Sequence, residues 1–570
     1  MPVSERPRSV ALYRIPVTLM LLGLFMMALQ AGQPLLGLAM LMTAATTTLG
    51  CARWNHARQG SVALSLRDQA DRKLVSGRYG EARALYERAL ALSERELPPA
   101  APELLLNYYS LAAVNSMLHD NARAGRYLEE LLSGLGDRVP RPWSGHVAWL
   151  MRRVAHHHSL RGHHVEAERL CRRALELVGD APGADDNSVR SLVDDLAWVM
   201  HHGGNYVEAE RLFREALSIH EQFRDVALEL AQRPRPGAKP GRSPYREPGP
   251  ATASTTGGLD RAVAFSLLGL GWTRYERGDY GEAQRCFERA RLIAKRLSNG
   301  TRGEAKGNGG LWLEVLRAVA AVAVTRGEYD EAEARYEQAR HFNATDEGSI
   351  PDAALLVDMS WLARCRERWD EAEAMARQAQ SKVDESSEEM ATIATALHES
   401  MAELRRRQGR AREGQRHIGT AQELASRCLG VEHPRMASIL AVAARLHVQR
   451  SEHPEAERCA RRSLALLESG VGAEHPRSAE AYLGLGEVQL ARGQWTQAEH
   501  SLGLALRRRE RALGVEHPEL VDILEAQQTL LRSMGREDEA RPVADRLARL
   551  RACSEPPART AGGDSIPAQP

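Results

Sequence analysis

A chain of 570 residues, 43% hydrophobic and 26% charged, is long enough for several ordinary domains or for one long repeat array. Its formal net charge of +1 argues against an electrostatic nucleic-acid binder, which normally shows a basic patch or stripe. The seven cysteines include no Cys-x-x-Cys pair, and Cys171, Cys286 and Cys459 fall in apolar helical stripes, so we expect reduced core residues rather than a disulfide framework.

The first fifty residues contain an uncharged stretch, 15–52, after a polar segment, 1–14. As a single helix it would span about 57 Å, roughly twice the hydrocarbon core of a bilayer. The sequence Gln-Ala-Gly-Gln-Pro at 30–34 interrupts it, so we predict a hairpin of two transmembrane helices, about 15–30 and 34–52. Arginines flank both outer ends, which by the positive-inside rule predicts a cytoplasmic segment 1–14 and cytoplasmic repeats.

Three alternatives to that hairpin stay open. The first helix is short, so a tilted or re-entrant form is one alternative. A cleaved signal peptide is another, although it would carry one apolar run instead of two. Thr48-Leu49-Gly50-Cys51 weakly resembles a lipoprotein processing site, but the cysteine lies far from the N-terminus. Because arginine almost replaces lysine, the composition indicates a GC-rich bacterial genome, and we predict a protein of the bacterial inner (cytoplasmic) membrane.

A fixed period organises the rest of the chain. Small residues recur about every 42 positions, and the run Ala456, Ala498 and Ala540 shows the spacing without interruption. A second series of small residues, which includes Gly486, precedes the first by twelve positions. Apolar residues at helical spacing surround both series, so each period reads as helix A, a tight turn, helix B and a linker. A period of this kind indicates a helical solenoid.

The repeat unit resembles the tetratricopeptide repeat (TPR), which has a small residue in helix A followed by Gly-x-aromatic-x-x-Ala, here Gly493 to Ala498. The 42-residue spacing and the Leu-Gly-x-x-His-Pro linker are similar to the longer repeats of kinesin light chains and of many bacterial proteins. The Asn-rich helix A of kinesin light chains is absent, so their cargo specificity is not carried over. The resemblance implies an all-α, right-handed superhelical solenoid of about 11 helix-turn-helix repeats, here preceded by the transmembrane hairpin.

The phase of the repeats predicts the domain boundaries. Repeats 1–4 occupy 61–232 and repeats 5–11 occupy 259–551. Between them, 233–258 is rich in proline, glycine and arginine and is predicted to be a disordered insertion. The tail 552–570 is predicted to be disordered as well. In the last repeat Gln528 stands at the helix A position that is small elsewhere, as expected of a capping repeat with a polar outer face.

No catalytic motif is recognisable, so we predict no enzyme activity, no cofactor and no small-molecule substrate. The stretch 307–310 lacks the Gly-Lys-Ser/Thr of a phosphate loop, and there is no Gly-x-Ser-x-Gly or His-Glu-x-x-His. Histidines cluster at 156–158, 163–164 and 201–202, and histidines one helical turn apart can bind a metal. A polar helix end explains this cluster as well, and we predict no metal site.

If the solenoid is of the TPR type, the resemblance places a ligand groove on helix A, at positions one and four after the small residue and three before it. These positions hold Tyr109, Arg152, His156, Asp194, Trp198, Trp272, Tyr275, Arg317, Trp361, Arg364, Glu399, Glu403, Arg406, Arg445 and Glu487. Aromatic residues and arginines are the usual hot spots of interfaces. The alternative is that the tryptophans only pack between neighbouring helices.

The function predicted from these features is a membrane-anchored scaffold or adaptor that binds a peptide or protein partner in its concave groove. The alternative is a ligand-responsive regulatory subunit of a bacterial signalling or secretion system. No nucleic acid is expected as a partner.

Overall fold

The structure is a computed structural model that describes residues 61–98, 100–118, 120–136, 139, 141–179, 186–232, 250–298, 302–345, 352–385, 390–472 and 474–554. The part of the chain so described is all-helical, with 22 α-helices and one short 3-10 helix, Pro518–Leu520. Consecutive helices pair as hairpins, which makes eleven helix-turn-helix repeats. An odd-numbered helix is helix A of its repeat, and the following even-numbered helix is helix B.

The first twelve helices are α1 (Ser61–Val75), α2 (Tyr79–Glu96), α3 (Pro102–Met117), α4 (Asn121–Leu135), α5 (Arg141–Leu160), α6 (His164–Gly179), α7 (Asp186–His202), α8 (Tyr206–Gln232), α9 (Pro250–Glu276), α10 (Tyr280–Ser298), α11 (Arg302–Thr325) and α12 (Tyr329–Thr345). The remaining ten are α13 (Asp352–Cys365), α14 (Trp369–Gln380), α15 (Ala391–Arg407), α16 (Ala411–Cys428), α17 (Arg435–Gln449), α18 (His453–Gly470), α19 (Ser478–Ala491), α20 (Trp495–Leu513), α21 (Val521–Ser533) and α22 (Glu537–Ser554).

The turn between helices A and B is made by a residue in the left-handed region. In the fifth repeat this residue is Gly278, with φ +83°, and the next amide, that of Asp279, donates to the carbonyl oxygen of Arg274 at 2.9 Å. This bond satisfies a carbonyl at the end of α9 that has no partner within the helix. The chain therefore reverses within three residues and begins α10 at Tyr280.

Close contact between helices A and B explains the small residues of the period. A Cβ on Gly271 would lie 2.4 Å from the Phe287 ring, and one on Gly486 would lie 2.6 Å from Leu502 Cδ2. Ala498, on the opposite helix of its pair, is completely buried. Interiors packed at this density leave no room for a larger side chain at these crossings.

The chain divides into two compact units. The first unit comprises Met1–His157 and Leu170–Asp185, and its described core includes the buried leucines Leu111, Leu128, Leu131 and Leu150. The second unit comprises His158–Arg169 and Asp186–Pro570. A large apolar cluster of this unit lies between α9 and α13 and is centred on the buried residues of α11.

The predicted transmembrane hairpin, and with it the predicted location at the bacterial inner membrane, is corrected by the structure. No helix in the described part of the chain is both long and apolar enough to cross a membrane. The physical reason is the charge on each helix: the apolar run at 311–324 of α11, for example, is interrupted by Glu314 and Arg317. The segments predicted to span, 15–30 and 34–52, lie outside the described residues.

Two predicted disordered segments fall largely outside the described residues. Of the insertion predicted at 233–258, the part 233–249 is not described, and α9 begins at Pro250, inside the predicted insertion. Of the tail predicted at 552–570, the part 555–570 is not described, and α22 extends to Ser554. The domain boundaries otherwise stay predictions.

Candidate functional site

The second unit contains a cavity of about 840 Å³ that is lined mainly by seven successive odd-numbered helices, α9 to α21, with further residues from even-numbered helices. Each odd-numbered helix packs one face on its even-numbered partner, so its opposite face is left to line the cavity. Each of the seven helices contributes at least one side chain to the lining. In chain order, one from each helix, these are Trp272, Arg317, Trp361, Glu399, Arg445, Glu480 and Asp522.

Aromatic side chains form one wall of the cavity. They are Trp272, Tyr275, Tyr280, Tyr329, Trp361 and Trp369. The Trp272 ring meets the Tyr275 ring edge to face, with centroids 5.5 Å apart. The Tyr275 hydroxyl lies 2.7 Å from Thr325 Oγ1, and burial raises the pKa of Tyr275, so this hydroxyl stays neutral at physiological pH. The wall is thus apolar with fixed, uncharged polar groups.

Charged side chains form much of the remaining lining, and most of them are paired between repeats. Arg317 Nε on α11 donates to Asp358 Oδ2 on α13 at 2.8 Å. Arg445 on α17 contacts Glu487 on α19 at 3.1 Å and Asp522 on α21 at 2.9 Å. Each such pair joins neighbouring or next-neighbouring helices A, so the charges fix the curvature of the cavity wall.

Asp522 also bridges a longer separation. Its Oδ2 accepts from Arg407 Nη2 on α15 at 2.6 Å, across 115 residues of sequence. Burial raises the pKa of the Asp522 carboxyl, but Arg445, Arg407 and Arg406 outweigh burial and hold it at about 2. The carboxylate is therefore ionised at physiological pH and ties the last repeat to the eighth and ninth.

Three contacts close the second unit on itself, and we call them the seam. In each, a His-Pro linker that follows an even-numbered helix meets a turn glycine much earlier in the chain. The contacts are Pro434 with Gly204, Pro476 with Gly278 and His517 with Gly327. A Cβ on Gly278 would lie 2.6 Å from Pro476 Cδ, and one on Gly204 would lie 2.6 Å from Pro434 Cδ, so these two positions lack space for a side chain.

The linker histidines also cap the segment that follows them. Each ring accepts through Nδ1 from the amide two residues on, as His433 does from Arg435 at 3.0 Å, His475 from Arg477 at 3.2 Å and His517 from Glu519 at 3.1 Å. A neutral ring that accepts at Nδ1 carries its proton on Nε2. In His475 this Nε2 donates to the carbonyl oxygen of Glu276 at 2.8 Å.

Glu276 belongs to both the seam and the cavity. Its carboxylate accepts from Arg477 Nη1 at 2.5 Å, and both side chains line the cavity. Burial raises the pKa of Glu276, but Arg477, Arg435 and His201 together outweigh burial and hold it at about 2. A ligand in the cavity would therefore touch residues that hold the seam.

Eight of the predicted groove residues line the cavity: Trp272, Tyr275, Arg317, Trp361, Arg364, Glu399, Glu403 and Arg445. Seven do not: Tyr109, Arg152, His156, Asp194, Trp198, Arg406 and Glu487. Tyr109, Arg152 and His156 belong to the first unit. A role of any of these residues in binding stays a prediction.

The other four residues outside the lining have structural partners. Asp194 accepts from Ser266 Oγ at 2.7 Å and lies 2.7 Å from His220 Nε2. Trp198 packs against Phe213 and His202, with centroids 5.3 and 5.5 Å apart. Arg406 donates to Glu403 at 2.7 Å, and Glu487 accepts from Arg445.

Sequence reasoning missed several lining residues, among them Glu276, Asp358, Arg435, Arg477 and Glu519. The 42-residue period of the sequence carries a signal for three of these residues. Arg435, Arg477 and Glu519 each follow a His-Pro dipeptide directly, 42 positions apart. Arg435 begins α17, Arg477 directly precedes α19 and Glu519 lies in the 3-10 helix before α21, so each stands near the start of its helix A.

Comparison with solved structures gives similarity at low sequence identity. The chain is similar to the apo form of RapI, with 11% identity, 72% of this chain and 97% of that chain covered, and a TM-score of 0.48. It is similar to the Rap conjugation gene regulator of plasmid pLS20 in complex with the Phr* peptide, with 13% identity, 71% and 95% covered, and a TM-score of 0.42. It is also similar to the kinesin light chain TPR-like repeats of Podosopora anserina, with 17% identity, 43% and 100% covered, and a TM-score of 0.29.

No curated protein matches the sequence. Three family models described as tetratricopeptide repeat do match it: one at residues 146–222 and 392–469, a second at 76–102 and 478–519, and a third at 264–289. The matched segments lie in both units and fall within the helical repeats of the structure. These segments of the chain are tetratricopeptide repeats.

Proposed function

We propose that the second unit binds a peptide, or an extended segment of a partner protein, in its cavity and acts as a non-enzymatic scaffold. The observation that carries this proposal is the convergence of helices A from seven successive repeats on one cavity with an aromatic wall. A volume of about 840 Å³ lies within the usual range of ligand pockets. Aromatic and arginine side chains in such a position are typical anchors of an interface.

The chemistry of the lining favours binding over catalysis. Nine arginines and eight carboxylates line the cavity, and most of them pair with one another, which suits a partner of mixed charge better than a polyanion. Burial raises the pKa of the Cys365 thiol to about 12, so this lining thiol stays protonated and is a poor nucleophile. The 42-residue period also supports assignment of these repeats to the longer TPR type.

The experiment is a binding screen of the full chain against fluorescein-labelled heptapeptides, with fluorescence anisotropy as the measurement. We expect Trp272→Ala and Trp361→Ala to weaken the best peptide at least tenfold. The matched control is Trp495→Ala, because Trp495 is 38% exposed and does not line the cavity. Equal loss in the control, or no loss in the cavity variants, would contradict binding in the cavity.

A second candidate function, a ligand-responsive regulatory subunit of a signalling or secretion system, is favoured by one observation. Glu276 and Arg477 line the cavity and also hold the seam. A ligand that competes for either side chain would bias the seam toward opening or closing. Hydrogen exchange of the amides at 276–280 and 474–478 should then change when the best heptapeptide binds. Unchanged exchange there would leave the rigid scaffold as the better account.

A further inference from the structure

The three linker histidines of the seam share one position in the period and one environment. His-Pro follows a helix B at three places in the sequence, and all three belong to the seam. The rings of His433, His475 and His517 are buried, with at most 7% of each residue exposed. In later repeats an added Cβ on the turn glycines Gly409 and Gly535 would meet nothing within 4 Å among the described residues. The His-Pro linkers are thus found where distant repeats touch.

The hydrogen bonds of these three rings require the neutral form of histidine. In each ring Nδ1 accepts from the amide two residues on, at 3.0 Å in His433, 3.2 Å in His475 and 3.1 Å in His517. An imidazolium carries a hydrogen on both nitrogens and offers no acceptor to that amide. Protonation would place two N–H groups face to face inside a buried contact, which costs free energy. The closed seam therefore excludes the charged form at all three linkers.

The charges that face His475 and His517 do not compensate an added proton. Burial, together with Arg477, lowers the pKa of His475 to about 4. The Glu276 carboxylate at the end of α9 opposes this shift, but it is already paired with Arg477 at 2.5 Å. Burial, together with the charge of Arg509 on α20, lowers the pKa of His517 to about 4. A proton on either ring would thus lie buried beside an arginine.

His433 meets further histidines across the seam. Its ring centroid lies 6.5 Å from that of His164 on α6, and its Cδ2 would lie 3.4 Å from a Cβ on Gly204, in the turn that follows α7. Burial lowers the pKa of His433 to about 3; the Glu276 carboxylate opposes burial, whereas the charges of His164, Arg435 and His201 act with it. In acid this part of the seam would therefore collect several positive charges.

We propose that the seam is a proton-sensitive latch, closed while His433, His475 and His517 are neutral and opened in mild acid when they take up protons. In the open state each ring reaches water, which solvates the imidazolium and bonds the released amide. The side chain of Glu276 lines the cavity while its carbonyl oxygen accepts from His475 Nε2, so opening also loosens the cavity wall. The latch is a property of the seam itself and goes beyond the proposed function, because it needs no ligand.

The direction of the response follows from proton linkage. A histidine in the open seam has the ordinary pKa of about 6.5, whereas the closed seam holds the pKa of His475 at about 4. At a pH between these values the open state binds more protons, so the ratio of open to closed rises as pH falls, by up to about tenfold per pH unit for each histidine. The ion pair of Arg477 with Glu276 opposes opening throughout this range, because a carboxyl with a pKa of about 2 stays ionised.

The test measures amide hydrogen exchange of the full chain by mass spectrometry at pH 7 and pH 5. Each rate is divided by the rate of the same segment in the unfolded chain at that pH. Segment 474–478 reports on the seam. Segment 490–494 is the reference, because an added Cβ on Gly493 would meet only Trp495 of the same hairpin in the described part of the chain. We expect the protection of 474–478 to fall at least about tenfold from pH 7 to pH 5, and that of 490–494 to change less than about twofold.

Glutamine at the linkers separates protonation from other effects of acid. Its amide oxygen can accept the same backbone amide and its nitrogen can donate to the same carbonyl, but it does not titrate. The triple variant His433→Gln, His475→Gln and His517→Gln should therefore keep its protection at pH 5. His475→Lys, which carries a permanent charge, should lower the protection of 474–478 already at pH 7. The matched control is His500→Gln, at an exposed position on α20, and it should respond to acid as the original chain does.

Loss of protection that is confined to the seam and absent from the triple variant supports the latch. The latch is overturned if 474–478 is protected equally at both pH values, or if the triple variant loses protection as the original chain does. Loss of protection in all helices together also overturns it, because acid would then unfold the protein instead of opening the seam. Circular dichroism at both pH values checks that each variant is folded. If the triple variant does not fold, His475→Lys decides: unchanged exchange at pH 7 overturns the latch, and faster exchange confined to the seam supports it.

Discussion

His475 Nε2 donates to the carbonyl oxygen of Glu276 at 2.8 Å, although the two residues lie 199 positions apart in the sequence. The same ring accepts the amide of Arg477 through Nδ1, so both of its nitrogens are used. One histidine thus caps the start of a helix and holds the turn of a repeat far earlier in the chain. The His-Pro dipeptide that marks the period therefore connects distant repeats of the second unit.

Gly278→Ala should destabilise the second unit more than the same change at an open turn. Gly278 and Gly409 both end a helix A with positive φ, +83° and +73°, so alanine carries a similar backbone penalty of about 1–2 kcal/mol at each. Only at Gly278 would the new Cβ also meet Pro476, 2.6 Å away, whereas Gly409 has no atom within 4 Å. Urea unfolding should show an additional loss of about 1–3 kcal/mol for Gly278→Ala. Equal losses would mean that the seam does not hold in solution.

The seam histidines should make the free energy of unfolding fall with acidification between about pH 6.5 and pH 4. Burial, together with the neighbouring charge of Arg477, lowers the pKa of His475 to about 4. At a pH between the ordinary histidine pKa of the unfolded chain and the lowered pKa of the folded protein, the unfolded state binds more protons. The free energy of unfolding therefore falls as pH falls, by up to about 1.4 kcal/mol per pH unit for each such histidine. The pKa values of His433 and His517, lowered by burial to about 3 and about 4, act in the same window.

The variant His475→Gln tests this pH dependence. It removes the titrating ring, so its unfolding free energy, taken relative to its own value at pH 8, should fall less between pH 6.5 and pH 4.5. The control is His500→Gln, at an exposed position on α20. If the unfolding free energy depends on pH with the same slope in the original chain, His475→Gln and His500→Gln, then His475 does not titrate with a lowered pKa.

Asp522→Asn should destabilise the last repeats by about 3 kcal/mol, because it leaves Arg407 and Arg445 without their shared carboxylate in a largely buried site. The control is Asp538→Asn, whose side chain is 96% exposed and makes one distant contact, 3.8 Å from Arg541. Exposed pairs of this kind contribute at most about 1 kcal/mol. Chemical denaturation with helical content as the signal measures both variants. A small effect at Asp522 would mean that solvent screens the cavity wall.

Ala498→Leu should cost about 1–3 kcal/mol, because Ala498 is fully buried where α19 and α20 cross and a larger side chain would force them apart. Thr496→Leu, two residues earlier on the exposed face of α20, is the matched control and should change stability little. The comparison is made by thermal melting of the full chain. A melting profile unchanged by Ala498→Leu would contradict the phase assigned to the repeats.

Much of the local structure follows from the sequence alone. The period places the turn at Gly493 and the crossing at Ala498, and the hairpin of α19 and α20 occurs at these positions. Such features are readable because a helix, its cap and its turn depend on residues within a few positions of one another. Eight of the fifteen residues at the predicted groove positions line one cavity for the same reason: helix phase decides which way a side chain points.

The partners across the cavity were decided only by the tertiary structure. Trp198 and Trp272 occupy the same position of the period, yet Trp198 packs among neighbouring rings and Trp272 lines the cavity. Asp522 meets Arg407 and His475 meets Glu276 because small rotations between successive hairpins accumulate until distant repeats touch. That accumulated rotation depends on every intervening interface between repeats and has no local signature in the sequence. The sequence by itself therefore determined the repeats, whereas the packing of many successive repeats determined the seam and the cavity.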